Sequence, residues 1–514
     1  MKQASAIAGI MIMWLMAAAP SGAAASAFPK ADPSTLIGKV LFGYQGWFNC
    51  PGPGGGPWTH WSRGEPNAGS LSVDMYPDLS EFPTEALCPA NGMTIGGKQA
   101  YFYSANTPAI VEGHFRWMEE YGLDGVLVQR FLIEAGWKRG SGDVVLKNIM
   151  AAAAAHGRVF AIEYDISSAN DNDYINPIRG DWMYLVDELK LTQHPCYLRH
   201  AGKPVVGIWG PGLTDRIPSD PARFKADLID WFKTGPAQYR ATYMGGTPAR
   251  WRTLNVDSRG GEGWEAAYKD MDVIQPWTVD RYKDTATAKA WAATMVAPDV
   301  TQTKADGNLY MPVAFPGFSC KNLGLCAANQ VPREGGKFLW AQAYGAKASG
   351  ASMLKIAMFD ETDEGSAMFK LAPRRGLAPD QGFWLPLNAD GYDLPSDWYL
   401  RLGREVTRMF HGERAPTEAM PLDPSYPSAA VTRAGGIPAQ RMAVTHTGAG
   451  FRFRVDARVA SSLAIYRADG GLQATVLSHD GFALWNPHGI SPGIYLAKMR
   501  DAGGETAVQV FAAP

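Results

Sequence analysis

From about residue 38 to 365, short apolar runs alternate with stretches of helical period. The runs are Val40–Phe48, Gly125–Phe131, Val159–Ile166, Pro204–Trp209, Ala241–Met244, Val273–Val279, Pro312–Phe318 and Met353–Phe359. Each is apolar on both faces, as strands are when both sides of a parallel sheet are covered. Between them the period lengthens. Thr107-Pro108 reads as an N-cap followed by a first-turn proline, after which Ile110, Val111, His114, Phe115 and Met118 share one helical face. Pro221, Phe224, Leu228 and Trp231 repeat that spacing, and Asn148–Ala155 is an alanine-rich helix. Eight strands with helical crossovers predict a (β/α)8 TIM barrel. A doubly wound dinucleotide fold loses its main support, because no GxGxxG opens the first crossover. The length beyond the roughly 250 residues of a plain barrel falls in long loops, Asn49–Lys98 and Thr247–Asp272. In a barrel, loops that follow strand C-termini build the active site.

Beyond the barrel the pattern changes. Pro395–Phe410 reads as a closing helix, and Ala415–Pro427 as a proline-rich linker. The tail then alternates apolar and polar residues over Met442–Thr447, Phe451–Val455, Ser462–Tyr466, Phe482–Trp485, Ile494–Met499 and Ala507–Phe511, with Asp469-Gly470 and Asp501–Gly504 as turns. This predicts a small β-sandwich. Tyr466-Arg-Ala-Asp-Gly470 and Ser491-Pro-Gly-Ile-Tyr-Leu496 resemble the immunoglobulin-like modules appended to exported bacterial enzymes. At the other end, Lys2, the apolar Ile7–Ala19 and Ala25-Ser26-Ala27 read as a cleavable signal peptide, too short to span a bilayer. The expected layout is a signal peptide over 1–27, a catalytic barrel over 28–412, a linker over 413–429 and a β module over 430–514. The expected location is secreted or periplasmic, with no membrane insertion of the mature form.

Composition narrows the partners. With 48 Lys+Arg against 50 Asp+Glu, the net charge is -2, which leaves no basic face for nucleic acid and no polybasic patch for a membrane. Aromatics are abundant (17 Trp, 20 Tyr, 21 Phe) and accompany 56 Gly and 36 Pro, a loop-rich composition with flat apolar surfaces on which sugar rings stack. An oxidising compartment permits disulfides, and Cys320 and Cys326 are close enough in sequence to pair. Cys50 and Cys88 could close a second loop, leaving Cys196 over. No CxxC, HxH or HExxH occurs, so no metal site and no cofactor are expected. Gly489-Ile-Ser-Pro-Gly493 fits GxSxG but lies in the β tail, whereas a nucleophile elbow needs a strand-to-helix turn.

The chemistry concentrates in Ile356-Ala-Met-Phe-Asp-Glu-Thr-Asp-Glu-Gly365, where an apolar strand runs into four acidic side chains within five residues. On a continued strand Glu361 and Glu364 would face opposite ways, whereas a turn after Phe359 would bring both to one side. Two carboxylates flanking a bond are what glycoside hydrolysis requires. The blander reading is a solvated acidic loop or a helix N-terminus.

Phe359-Asp-Glu-Thr-Asp-Glu-Gly365 resembles the Phe-Asn-Glu-Trp-His-Glu-Gly segment of glycoside hydrolase family 99, endo-acting α-mannosidases on a (β/α)8 barrel. Gly43-Tyr44-Gln-Gly-Trp47-Phe48 with Trp58-Thr-His60-Trp61 is similar to that family's first-strand motif and following loop, and Val73-Asp74-Met-Tyr-Pro-Asp78 to its Tyr-Pro segment. The chain looks most like the related bacterial proteins often labelled xylosidase/arabinosidase. The resemblance implies Glu361 as the base acting on the substrate's 2-hydroxyl and Glu364 as the acid/base at the leaving oxygen, with retention through participation of that hydroxyl. Asp360, Thr362 and Asp363 depart from the family's Asn, Trp and His, which puts mannose specificity in doubt.

Other predicted strand ends offer sugar contacts, Tyr44, Trp47, Gln129, Tyr164, Asp165, Trp209 and Trp277, and the loop motifs after the first strand add His60, Trp61 and Asp74. Arg130 ends the second strand, and Glu163 or Asp165 is an alternative catalytic carboxylate. The expected activity is an exported glycosidase that cleaves an α-linked glycan derived from mannan, xylan or arabinan. The expected partner is an oligo- or polysaccharide. A non-catalytic glycan-binding barrel and a structural envelope protein are the other readings.

Overall fold

The computed structural model describes residues 28–132, 139–167 and 169–424, and strand segments between 442 and 513. The expected signal peptide and the last part of the expected linker, residues 425–429, lie outside the described residues; residues 413–424 are described and carry no helix or strand. The chain divides into two compact units that part near residue 428.

The first unit is a barrel of parallel strands: β1 (Val40–Tyr44), β2 (Gly125–Phe131), β3 (Val159–Asp165), β4 (Lys203–Trp209), β5 (Thr242–Gly246), β6 (Val273–Ile274), β7 (Leu309–Tyr310), β8 (Val313–Ala314) and β9 (Leu354–Ile356). Pairing runs from β7 through β6, β5, β4, β3, β2, β1 and β9 to β8. β7 and β8 are two halves of one run, parted at Met311-Pro312. Met311 N donates to Ile274 O and Lys355 N to Pro312 O, so the sheet closes on itself. Proline has no N–H to give a ladder, which accounts for the break. Nine strand segments thus fill eight barrel positions.

Helices cover the outside. α1 (Pro108–Glu120), α2 (Arg139–His156) and α3 (Ile175–Asp187) follow the first three strands. Helical residues 221–234, Glu262–Lys269, 285–306 and Lys337–Ala348 follow the next four. The expected proline-led start of α1 is present, although Thr107 makes no side-chain capping bond. The closing helix, Trp398–His411, ends at Gly412 with φ 79°, the left-handed conformation that glycine adopts at no steric cost.

The expected long loop after β1 carries secondary structure of its own. It contains an antiparallel hairpin, Leu87–Ile95 with Lys98–Tyr103, turning at Gly96-Gly97. Cys50–Cys88 ties this hairpin to the end of the first-strand motif, and Cys320–Cys326 closes the second disulfide. Cys196 is free and half-buried.

The barrel interior is partly polar. Lys355 and Glu163 are fully buried and ion-paired, with Gln129 donating to the same Glu163 oxygen and Lys355 Nζ donating to Gln275 Oε1 at 3.2 Å. Space for this pair comes from Gly207, where a Cβ would lie 2.9 Å from Glu163 Cγ.

The second unit contains a three-stranded and a four-stranded antiparallel sheet. Phe451, Phe453 and Trp485 of one and Leu463, Ile465, Tyr495 and Ala497 of the other are buried. The Trp485 and Tyr495 rings meet at 5.6 Å across the sheets. Leu472–Leu477, which the alternation left unassigned, supplies the edge strand of the larger sheet. Among the described residues no helix is long and apolar enough to cross a membrane.

Candidate active site

The eighth barrel position delivers its chain into a tight turn. Ser366 N donates to Glu361 O at 3.0 Å, and Met368 N to Phe359 O at 3.0 Å, so residues 359–368 fold back on themselves. The turn is clipped to the end of β1. Gln45 N and Gly46 N donate to the two Asp360 carboxylate oxygens at 2.8 and 2.9 Å. Gly46 is held at φ 61°, and a Cβ there would lie 2.8 Å from Val145, so both the conformation and the space favour glycine.

Glu361 is buried and clamped. Gln45 Nε2 donates to Oε1 at 2.5 Å and Ser366 Oγ to Oε2 at 2.5 Å. Burial, then the charges of Glu364 and Asp363, raise its pKa well above the usual range, against those two donors. Glu364 is partly exposed. Burial and Asp363 raise it to about 7, against the opposing charge of Arg216. Burial also raises Asp360 to about 7, and raises Asp165. Burial therefore favours the protonated forms of Asp360, Glu361 and Glu364, which spares part of the like-charge repulsion that the sequence threatens.

His60 and Asp363 meet at 3.2 Å between Nδ1 and Oδ2. His60 lies flat on Trp47, with ring centroids 3.9 Å apart and planes at 5°. Phe131 stacks on the same indole at 5.0 Å and 24°. Trp209 and Trp277 pack edge to face at 5.3 Å, and the Arg216 guanidinium lies 5.0 Å over the Trp209 ring. A cavity of about 400 Å³ opens to one side of the acidic turn, lined by Gln45, Trp47, His60, Gln129, Arg130 and Ser141 among others. Glu361 and Glu364 do not line it; Gln45 and His60 link it to the turn.

The structure thus gathers Glu361, Glu364, His60, Asp165, Trp209 and Trp277 at the C-terminal end of the barrel. Gln129 lies just below, turned toward Glu163. Four expected sugar contacts are placed elsewhere. Tyr44 is fully buried with its hydroxyl 2.9 Å from His114 Nδ1, and Tyr164 is fully buried and donates to Asp181 at 2.9 Å. Trp61 is buried and donates to Tyr103 O at 2.7 Å. Asp74 is buried and accepts from Ser319 Oγ and from the backbone of Lys321 and Asn322, so it holds a loop and faces no ligand. Trp47 reaches the rim, but its ring faces are taken by His60 and Phe131. Arg130 is engaged by Asp143 and Asp181, and Glu163 is sealed in the barrel, so of the two alternative carboxylates only Asp165 reaches the mouth.

Gln45, Arg216, Ser366, Lys355 and Asp280, whose charge adds to the rise of Glu364, carry no signal of their own in the sequence. Gln45 stood inside the first-strand motif, and Lys355 was a lone charge in an apolar strand. Arg216 and Asp280 follow β4 and β6 and carried no motif. Among the described residues no group of three or more His, Cys, Asp or Glu side chains is disposed to hold a metal.

No protein-family model and no curated protein matches the chain. Among solved structures, the GH99 endo-α-mannosidase from Bacteroides thetaiotaomicron in complex with BIS-TRIS-propane is similar at 20% identity. The match covers 74% of this chain and 100% of that one, with a TM-score of 0.54. A second structure of the GH99 endo-α-mannosidase from that organism matches at 19% identity, over 74% of this chain and 99% of that one, also at 0.54. The barrel has the family 99 fold. In that fold the acidic turn lies where (β/α)8 enzymes place their chemistry, at the C-terminal end of the last strand.

Proposed function

We propose that the chain is an exported glycoside hydrolase that cleaves an α-linked glycan with retention, using Glu364 as acid/base and Glu361 as base. The observation that carries this reading is that one turn holds both glutamates, near enough for the charge of Glu364 to raise Glu361, with Glu364 itself raised to about 7 and partly open to solvent. A carboxyl that holds its proton near neutral pH can donate it to a leaving oxygen. Glu361 would act in its ionised form, which the hydrogen bonds from Gln45 and Ser366 favour against burial; it would take the proton of the substrate's 2-hydroxyl as that oxygen closes on the anomeric carbon and the glycosidic bond breaks. Then, while Glu361 returns its proton to the 2-oxygen as the anhydro ring opens, Glu364, now ionised, would draw a proton from the water that attacks the anomeric carbon. Its second proton transfer is the reverse of the first, as an acid/base that acts twice requires.

Mannan, xylan and arabinan fragments remain the substrate classes to test. The absence of the Trp and His that family 99 carries after the first glutamate weighs against strict mannose selection. Hydrolysis of these fragments by residues 28–514, compared with Glu361→Gln and Glu364→Gln, tests the assignment. Product from wild type and full activity in both variants would refute it. Binding of intact glycan without turnover would favour the non-catalytic reading.

A further inference from the structure

His60 is the histidine of the Trp58-Thr-His-Trp61 loop, and its backbone is left-handed, with φ 62°. Non-glycine residues rarely hold that conformation unless their surroundings impose it, and such positions cluster at binding sites. Here two contacts impose it. The imidazole is pressed flat on Trp47 at 3.9 Å, and Phe131 stacks on the same indole. His60 and Phe131 lie on opposite faces, because two rings on one face at these separations would touch each other. Trp47 therefore offers no open face to a sugar ring. The second contact is Nδ1 to Asp363 Oδ2 at 3.2 Å. Asp363 is buried, with side-chain exposure of 3% against 34% for His60. Its other oxygen, Oδ1, has no hydrogen-bond partner.

Resting on the glycosidase reading, we propose that Asp363 is a positioning residue that fixes His60 as its Nδ1–H tautomer, and that His60 Nε2 is the acceptor this wall presents to a sugar hydroxyl. With Asp363 as the acceptor of the 3.2 Å contact, the proton between the pair sits on Nδ1 and leaves the Nε2 lone pair free on a ring that lines the cavity. The same loop of chain thus exchanges an aromatic platform, which binds ring faces, for an acceptor, which binds a hydroxyl edge. Such a wall selects sugars by the presence of one hydroxyl, because an analogue lacking it leaves the acceptor unpaired. Asp363 is one of the positions at which the chain departs from the family 99 motif, so this device belongs to its variant of the site.

The test uses the full chain labelled with 15N-histidine, assigned by the signal lost in His60→Gln. At pH 8 His60 should be the Nδ1–H tautomer in wild type and should revert to Nε2–H in Asp363→Ala. Wild-type Nε2–H would overturn the positioning role. Near-UV circular dichroism checks that the alanine variant is folded, and Asp363→Asn provides a second variant that keeps the shape. Kinetics on the mannan, xylan or arabinan fragment that wild type cleaves should show KM raised at least about tenfold in His60→Ala, with kcat within about threefold, since a hydroxyl contact made equally in ground and transition states changes KM alone. His60→Gln should recover most of that loss. His60→Phe keeps the stack on Trp47 without the acceptor and should not. Recovery by His60→Phe would reduce His60 to packing and overturn the inference while leaving the glycosidase reading intact. No cleavage of any fragment would sink the glycosidase reading and the sugar half of this inference together; the tautomer would still decide the role of Asp363.

Discussion

Asp363 stands between Glu361 and Glu364 in sequence, and its charge raises both. Two outcomes follow at this scale. Activity should fall on an alkaline limb near pH 7 as Glu364 loses its proton, and Asp363→Asn should move that limb to lower pH, measured as kcat/KM against pH. Stability should carry the same signature. A carboxyl raised in the folded state binds its proton more tightly there than in the unfolded chain. Its contribution is therefore favourable at low pH and is lost as pH rises from about 4.3 through the folded value near 7. Glu364→Gln mimics the protonated form. Its Tm should match wild type near pH 4 and exceed it by about 2 °C or more at pH 8, while kcat falls roughly 10²–10⁴-fold. A variant equal in Tm at both pH values would mean that Glu364 is not raised. The glutamate pair was legible in the sequence because four acids after an apolar run have few structural uses. Their partners Gln45 and Ser366 were not, because nothing in a single glutamine or serine marks what it will touch after folding.

At the scale of elements, alternation along each strand decides which side chains reach the mouth. Gln129 pairs in register with Glu163, Arg130 with Tyr164, and Phe131 with Asp165. Paired residues of a parallel sheet share a face, so Gln129 and Glu163 point inward while Arg130 and Tyr164 point to the helices. A strand end taken without this parity brings every side chain to the mouth, Tyr44 and Tyr164 included; they pack under α1 and α3 instead. Loops are harder still. Asp74 lies far along the chain from the acidic turn, yet its backbone N donates to Thr362 O at 3.0 Å while its carboxylate holds the loop at Ser319–Asn322. Removing a buried acceptor strands its donors at about 1–3 kcal/mol each. Asp74→Ala should therefore lower stability by about 3 kcal/mol or more in urea melts and lower kcat as well, with Asp74→Asn milder in both. Unchanged urea midpoints would show that the loop is held by other contacts.

For the whole molecule, the barrel and the β module were both legible from period alone. One sequence stretch showed buried parallel runs and the other showed two-residue alternation with hairpin turns. The break at Pro312 and the polar pair Lys355–Glu163 were not, since both depend on how the sheet closes. The two units have separate cores, so a chain ending at residue 428 should keep kcat/KM within about twofold on short glycans and keep the barrel's melting transition. Loss of the fold on truncation would make the β module part of the barrel's stability. The central claim is that the acidic turn is a working glycosidase centre. It is tested most directly by incubating residues 28–514 with α-mannan, α-glucan, xylan and arabinan fragments beside Glu364→Gln. The expected result is sugar release from at least one glycan by wild type, with release by the variant at least about a hundredfold slower. Equal release by both proteins, or none from any glycan by wild type, would contradict it.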